Sequence, residues 1–106
     1  MGFFDRLRSP DINQGVAEQR AAEGSLLLDV RTPEEYREGH IPGSRNVPLQ
    51  AIGNVRQLAG DPDTPLFLYC HSGARSRQAA AALQGMGYRK IRNLGGITAY
   101  RGKVER

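Results

Sequence analysis

The sequence predicts a single α/β domain in which helices cover both faces of a parallel β-sheet. Two short runs carry this prediction, LLLDV at 26–30 and LFLY at 66–69, because almost continuous apolar residues are typical of strands buried on both faces. Helical patterns separate the two runs, and an alternation of strands with helices indicates parallel strands. A chain of 106 residues has room for one core. We therefore expect an N-terminal segment at 1–10 and one domain at 11–106.

Two helix starts are indicated by residues that cap helices. Asp11 predicts a helix over about 11–23, because an aspartate side chain accepts hydrogen bonds from the first free N–H groups of a helix. After the first strand, Thr32 and Glu35 have the spacing of a capping box. Gly39 then predicts the end of a short helix.

The remaining elements are predicted from periodicity and from turn residues. Leu49, Ile52, Val55 and Leu58 recur at helical spacing and predict an amphipathic helix. The other expected elements are a short strand at 46–47, a helix from Arg75 or Ser76 to Gly87 and a last strand at 90–94.

The chain begins with MGFFDRLR, which mixes aromatic and charged residues. It lacks the continuous apolar stretch of a signal peptide or a membrane span. We expect Phe3 or Phe4 to pack on the domain, with docking to a partner as the alternative.

Charge and cysteine content limit the classes of function. The 15 basic side chains outnumber the 11 acidic ones and give a net charge of +4, but they are scattered without a basic run or an aromatic platform. We therefore expect no nucleic acid partner and no membrane partner. One cysteine excludes an internal disulfide and a multi-cysteine metal site, and we expect no metal and no cofactor. A free thiol suits a reducing, cytoplasmic location.

The stretch LFLYCHSGARS places that one cysteine, Cys70, directly after a predicted buried strand. In open α/β sheets the carboxyl ends of the strands bind ligands, and the N-terminus of the following helix favours an anion there. Gly73 permits a tight turn, and Arg75 adds a permanent positive charge. The candidate site residues are Cys70 as the nucleophile and, in the loop around it, His71, Ser72, Gly73, Ala74, Arg75 and Ser76. The alternative is a buried cysteine without chemistry.

Three stretches resemble the rhodanese sulfurtransferases. The spacing C-x-x-x-x-R, with glycine third after the cysteine, is similar to their active-site loop. DVRTPEEYREGHIPGSRNVPL at 29–49 resembles their first signature region, and Gly95 and Gly96 followed by Tyr100 resemble the closing one, where tryptophan is usual. The resemblance covers about 11 to 104 and implies a three-layer α/β/α fold with a five-stranded parallel sheet.

The resemblance implies a sulfurtransferase enzyme. Cys70 would take the outer sulfur of thiosulfate or a similar donor, hold it as a persulfide and pass it to cyanide or a thiol, while Arg75 would bind the sulfonate end of the donor. The expected partners are a small-molecule donor and acceptor, with a protein thiol as a further acceptor. We expect the side chain of His71 to point to solvent.

Asp29 ends a predicted strand at the same sheet edge as Cys70. We favour a supporting role in which Asp29 and Arg31 form hydrogen bonds and an ion pair that fix the surrounding loops, over catalysis by Asp29. His40 is interpreted as a packed loop residue rather than a general base.

Two other functions stay open. Related cysteine-loop phosphatases and arsenate reductases end their loop in arginine but have five intervening residues, whereas four separate Cys70 from Arg75. The other alternative is a non-catalytic sulfur carrier or interaction module.

Overall fold

A computed structural model describes residues 11–106, which form one four-stranded parallel sheet with helices on both faces. The strands, in the spatial order β2-β1-β3-β4, are β1 (Leu26–Asp29), β2 (Arg45–Asn46), β3 (Leu66–Cys70) and β4 (Ile91–Gly96). The α-helices are α1 (Ile12–Ala21), α2 (Pro33–Glu38), α3 (Val55–Leu58) and α4 (Ala74–Gly85). The expected packing of Phe3 or Phe4 lies outside the described residues.

The expectation of five strands is wrong for residues 11–106, which form four. After β4 the chain turns directly into a short 3-10 helix at Ile97–Ala99. An antiparallel bridge then joins Glu105 to His40, but it pairs single residues and does not extend the sheet. The class predicted from the sequence, α/β with parallel strands, is confirmed.

The two faces of the sheet bury separate apolar clusters, which produces the three layers. Side chains alternate along β3, since successive residues of a strand point to opposite faces. Phe67 and Tyr69 join the cluster under α1, whereas Leu68 and Cys70 join the cluster under α3 and α4. All five residues of β3 are buried, as its apolar run predicts. Cys70 therefore projects toward the α4 side of the central strands.

The capping residues act as predicted, whereas the helix expected over 49–58 does not form as one element. Asp11 caps α1, and Thr32 and Glu35 form both hydrogen bonds of the capping box of α2. In place of the amphipathic helix there is a 3-10 helix at Leu49–Asn54 followed by the single turn α3, with a non-helical φ of −115° at Ala51.

Candidate active site

Cys70 is the last residue of a central strand and leads directly into a tight loop. The loop is short, because α4 begins at Ala74, one residue earlier than predicted. The turn is made at Gly73, whose φ of +110° is one that residues with a side chain rarely adopt. This backbone brings the Gly73 N–H back to within 3.0 Å of Cys70 Sγ. The sulfur thus lies inside the turn, at the N-terminus of a 12-residue helix.

Hydrogen bonds lower the pKa of the Cys70 thiol below its ordinary value. Cys70 is only 1% exposed, and burial by itself raises the pKa of a thiol. The Ser76 hydroxyl and the backbone N–H groups of Ser76, Gly73 and Arg75 lower it, and together they outweigh the burial. Since the thiolate is the nucleophilic form, the loop favours the reactive state of Cys70.

Ser76 links the sulfur to the next strand. Its hydroxyl oxygen, which is fully buried, lies 3.4 Å from Cys70 Sγ, 3.1 Å from the Gly73 carbonyl oxygen and 2.7 Å from Asn93 Oδ1. Asn93 Oδ1 also accepts the Gly95 N–H at 2.9 Å, which fixes the amide orientation. The Cys70 thiol donates to this hydroxyl oxygen, and the Ser76 hydroxyl donates its one proton to the Gly73 carbonyl oxygen or to Asn93 Oδ1. A Cys70 thiolate would be a third acceptor for that proton. Asn93 belongs to the site although it was not among the predicted residues.

Gly96 is a second site residue that was not predicted for this role. The register of β3 against β4 shifts between Leu68 and Cys70, which places Gly96 opposite Cys70. A Cβ atom on Gly96 would lie 2.3 Å from the His71 carbonyl oxygen and 2.6 Å from Ser72 Cα. The loop therefore rests directly on the backbone of β4, and a residue with a side chain at this position would displace it.

Arg75, at the C-terminal end of the loop, forms an ion pair with Glu35 of α2, and this end is called the mouth of the loop below. The two guanidinium nitrogens Nη1 and Nη2 donate to the two carboxylate oxygens at 2.6 and 2.9 Å. The side chains are 32% and 29% exposed, so solvent reaches the pair. The hydrogen bonds from Arg75 hold the pKa of Glu35 at about 2. The expected partner of Arg75 was the anionic end of a sulfur donor. In the structure its guanidinium instead binds the carboxylate of Glu35.

Asp29 and Arg31 form a buried pair behind the site. Arg31 donates through Nη2 to Asp29 Oδ2 at 2.7 Å and through its backbone N–H to Oδ1 at 2.9 Å. The same Nη2 also donates to the Gly39 carbonyl oxygen at 2.7 Å. The pair therefore ties the end of β1 to the segment after α2. His40 stacks on the Tyr36 ring with 3.7 Å between the centroids.

The other predicted loop residues face outward. His71, Ser72 and Ala74 are exposed. An open cleft of about 300 Å³ borders the loop, and it is lined by Arg31, Glu35, Glu38, Gly39, His71, Ile97 and Val104. His71 is the residue of the loop that lines this cleft.

Neither a metal-binding cluster nor a membrane-spanning helix is found in the part of the chain that the structure describes. Across residues 11–106, His, Cys, Asp and Glu side chains do not come together in a group of three that would hold a metal ion. The helices of the same region are too short or too polar to cross a bilayer.

Residues 13–103 match the rhodanese-like domain family, and the chain belongs to that family. A protein named sulfurtransferase from Allochromatium vinosum is 38% identical over 99 residues, which are 92% of this chain and 89% of that protein. Thiosulfate sulfurtransferase PspE of Escherichia coli is 35% identical over 66% of this chain and 68% of its own length. A solved structure described as a rhodanese with anions from E. coli superposes with a TM-score of 0.73 at 30% identity, covering 77% of this chain and 98% of that one. The fold and the sequence therefore agree on a family that includes sulfurtransferases.

Proposed function

We propose that this protein is a sulfurtransferase that carries a sulfane sulfur on Cys70 as a persulfide, with thiosulfate or a similar compound as donor and cyanide or a thiol as acceptor. The observation that carries the proposal is the position of Cys70 Sγ, which lies inside the turn and accepts the Gly73 N–H at 3.0 Å. Relatives named sulfurtransferase and thiosulfate sulfurtransferase support the same chemistry.

The reaction has two displacement steps at sulfur. In the first step the Cys70 thiolate attacks the outer sulfur of thiosulfate, a new S–S bond forms, and sulfite leaves with the electron pair of the old S–S bond. In the second step cyanide or a thiolate attacks the outer sulfur of the persulfide and Cys70 leaves as a thiolate. Thiocyanate or a new persulfide is the product, and no external oxidant or reductant is consumed.

The loop suits both steps because it stabilises negative charge on sulfur. The lowered pKa of Cys70 favours the thiolate and so reduces the need for a separate general base. The Gly73 N–H, the Ser76 hydroxyl and the N-terminus of α4 present partial positive charge to that sulfur and would do the same for an anionic persulfide.

Arg75 is the cationic group of the loop, and we assign it the binding of the anionic end of the donor. Guanidinium groups bind oxyanions through two parallel N–H bonds, which is how Arg75 holds Glu35. A structure to which this chain is similar is described as a rhodanese with anions from E. coli, which supports anion binding in the proposal.

The direct test is formation of thiocyanate from thiosulfate and cyanide. We expect turnover by the wild-type protein and none by Cys70→Ser, because serine cannot form a persulfide although it is close to cysteine in size. Thermal melting serves as the control for folding. Equal turnover by both proteins would refute the proposal.

Two additional measurements separate the alternatives, namely the intact mass after incubation with thiosulfate and the rate of aryl phosphate hydrolysis. A wild-type protein that gains one sulfur atom but does not turn over would be a carrier, and one that hydrolyses aryl phosphates faster than it transfers sulfur would be a phosphatase. We do not expect a carrier, because the loop contains Cys70, Gly73 and Arg75 together. We do not expect a phosphatase, because four residues between Cys70 and Arg75 and a nearly covered sulfur suit a terminal sulfur atom better than a phosphate group.

A further inference from the structure

The ion pair at the mouth of the loop bears on the choice of sulfur donor. Both carboxylate oxygens of Glu35 occupy the Nη1 and Nη2 groups of Arg75 at 2.6 and 2.9 Å. An oxyanion donor would use the same two N–H groups. Glu35 therefore stands where the charged end of such a donor would bind.

Glu35 is held in this position independently of Arg75. Its Oε1 accepts the backbone N–H of Thr32 at 2.9 Å and the Thr32 hydroxyl at 3.1 Å, while the Glu35 N–H donates to the Thr32 hydroxyl at 3.2 Å. These hydrogen bonds would order the carboxylate without the guanidinium, and a preordered group loses little entropy on binding. With a pKa of about 2, Glu35 is ionised at every pH at which a thiolate would act.

The charges around the site cancel in pairs. Arg75 is neutralised by Glu35, and Arg31 is neutralised by the buried Asp29. The nearby cleft also contains Glu38, an exposed carboxylate. The chain as a whole has a charge of +4. The two guanidinium groups near the loop, those of Arg31 and Arg75, are nevertheless both paired with carboxylates, so neither is free to bind a small dianion.

We propose that Glu35 is a specificity-determining residue that competes with anionic donors for Arg75. The site then discriminates against small dianions such as thiosulfate relative to donors whose sulfane sulfur is carried by an uncharged group. This inference rests on the proposed function for the identity of the donor, whereas the competition itself concerns only the binding of an anion.

The test measures anion binding without sulfur transfer. Cys70 is alkylated with iodoacetamide, which is uncharged, at increasing sulfate concentration and at constant ionic strength set with chloride. The sulfate concentration that halves the alkylation rate, relative to the rate without sulfate, reports binding at the loop. We expect Glu35→Gln to lower that concentration by about 1.5-fold to fivefold, the range for a partly exposed ion pair. Glutamine keeps the capping box, so α2 stays intact.

Glu34→Gln is the matched control, because it removes the same charge from the first turn of the same helix. Glu34 is 74% exposed, and among residues 11–106 it pairs only with Arg37, at 3.7 Å. We expect its half-protection concentration to equal that of the wild type. In an Arg75→Ala background, Glu35→Gln is expected to bring no gain.

Unchanged or weaker sulfate protection in Glu35→Gln would overturn the inference, as would an equal gain in Glu34→Gln or a gain that persists without Arg75. The thiosulfate assay is a separate readout. Thiosulfate turnover without the sulfate effect would leave the proposed function standing and remove this inference. A sulfate effect without any sulfur transfer would leave this inference standing and remove the proposed function.

Discussion

Replacement of Ser76 by alanine is expected to raise the pKa of Cys70 and to slow the reaction of its thiol at neutral pH. The Ser76 hydroxyl is the largest of the hydrogen-bonding contributions that lower this pKa, and it lies 3.4 Å from the sulfur in a fully buried position. Alanine removes the donor and changes the side-chain volume little. Burial, which raises the pKa of Cys70, would then be opposed chiefly by the backbone N–H groups of Ser76, Gly73 and Arg75.

The magnitude follows from the charge on the acceptor. A hydrogen bond to a charged group contributes about 1.5–3 kcal/mol to stability, and one pKa unit corresponds to about 1.4 kcal/mol. In the thiol form Ser76 donates instead to Asn93 Oδ1 or to the Gly73 carbonyl oxygen. Because the hydroxyl has other acceptors in the thiol form, its hydrogen bond stabilises the thiolate relative to the thiol by less than its full free energy. We therefore expect the pKa of Cys70 to rise by an amount at the lower end of what the hydrogen bond allows, about 1.5 kcal/mol, which slows alkylation about tenfold at a pH below both midpoints.

The assay is the rate of alkylation of Cys70 by iodoacetamide as a function of pH, since only the thiolate reacts. The midpoint of that profile should move to higher pH in Ser76→Ala. Ser72→Ala, which removes an exposed hydroxyl from the same loop, should leave the midpoint in place. An unchanged midpoint in Ser76→Ala would refute the assignment of the lowered pKa to this hydroxyl.

Three further predictions concern the scaffold of the site. Asp29→Ala leaves the Arg31 guanidinium buried without its partner and should cost about 3–5 kcal/mol of unfolding free energy in urea titrations; a loss below about 1 kcal/mol would contradict the buried pair. Gly96→Ala should abolish most sulfur transfer while the sheet persists by circular dichroism, because its Cβ would lie 2.3 Å from the His71 carbonyl oxygen; full activity would show that the loop does not rest on β4. The Glu35 pKa is about 2 in the folded state against 4.5 in the ordinary case, so its stabilising effect is complete above about pH 5 and is lost as the pH falls through 2. Glu35→Gln should therefore lose less stability than the wild type between pH 5 and 2, by about 1 kcal/mol or less for so exposed a pair. If the melting temperatures of the two proteins fall by the same amount over that pH range, the result would contradict the ion pair.

The sequence was sufficient for the parts of the fold that local chemistry determines. The apolar run at 66–69 predicted a strand buried on both faces, and Thr32 and Glu35 predicted the capping box and the start of α2. Helical spacing alone was insufficient at 49–58. There Ala51 leaves helical geometry, and Leu58 is 36% exposed, although the pattern assigned it to the apolar face.

The candidate site was predictable only where its residues are neighbours in sequence. Cys70 and Gly73 lie in the loop and Ser76 lies in the first turn of α4, and their contacts with each other follow from the tight turn into that helix. Asn93 and Gly96 reach the loop through the pairing of β3 with β4 and its register shift, which no local pattern indicates.

The pairing of Glu35 with Arg75 joins positions that are 40 residues apart. The capping box gave Glu35 a local role, and a single sequence contains no signal that the same carboxylate also meets the loop. This contact changes the expected state of Arg75 from a free cation to a paired one.

The most direct measurement is the intact mass of the protein after incubation with thiosulfate and removal of the excess donor. We expect the wild-type protein to be heavier by one sulfur atom and to lose that mass when cyanide or a small dithiol is added, because a chain with one cysteine has no second thiol to resolve the persulfide. Cys70→Ser should gain no mass. A wild-type protein that turns thiosulfate over without ever gaining the sulfur, or a Cys70→Ser variant that gains it, would contradict the persulfide at Cys70.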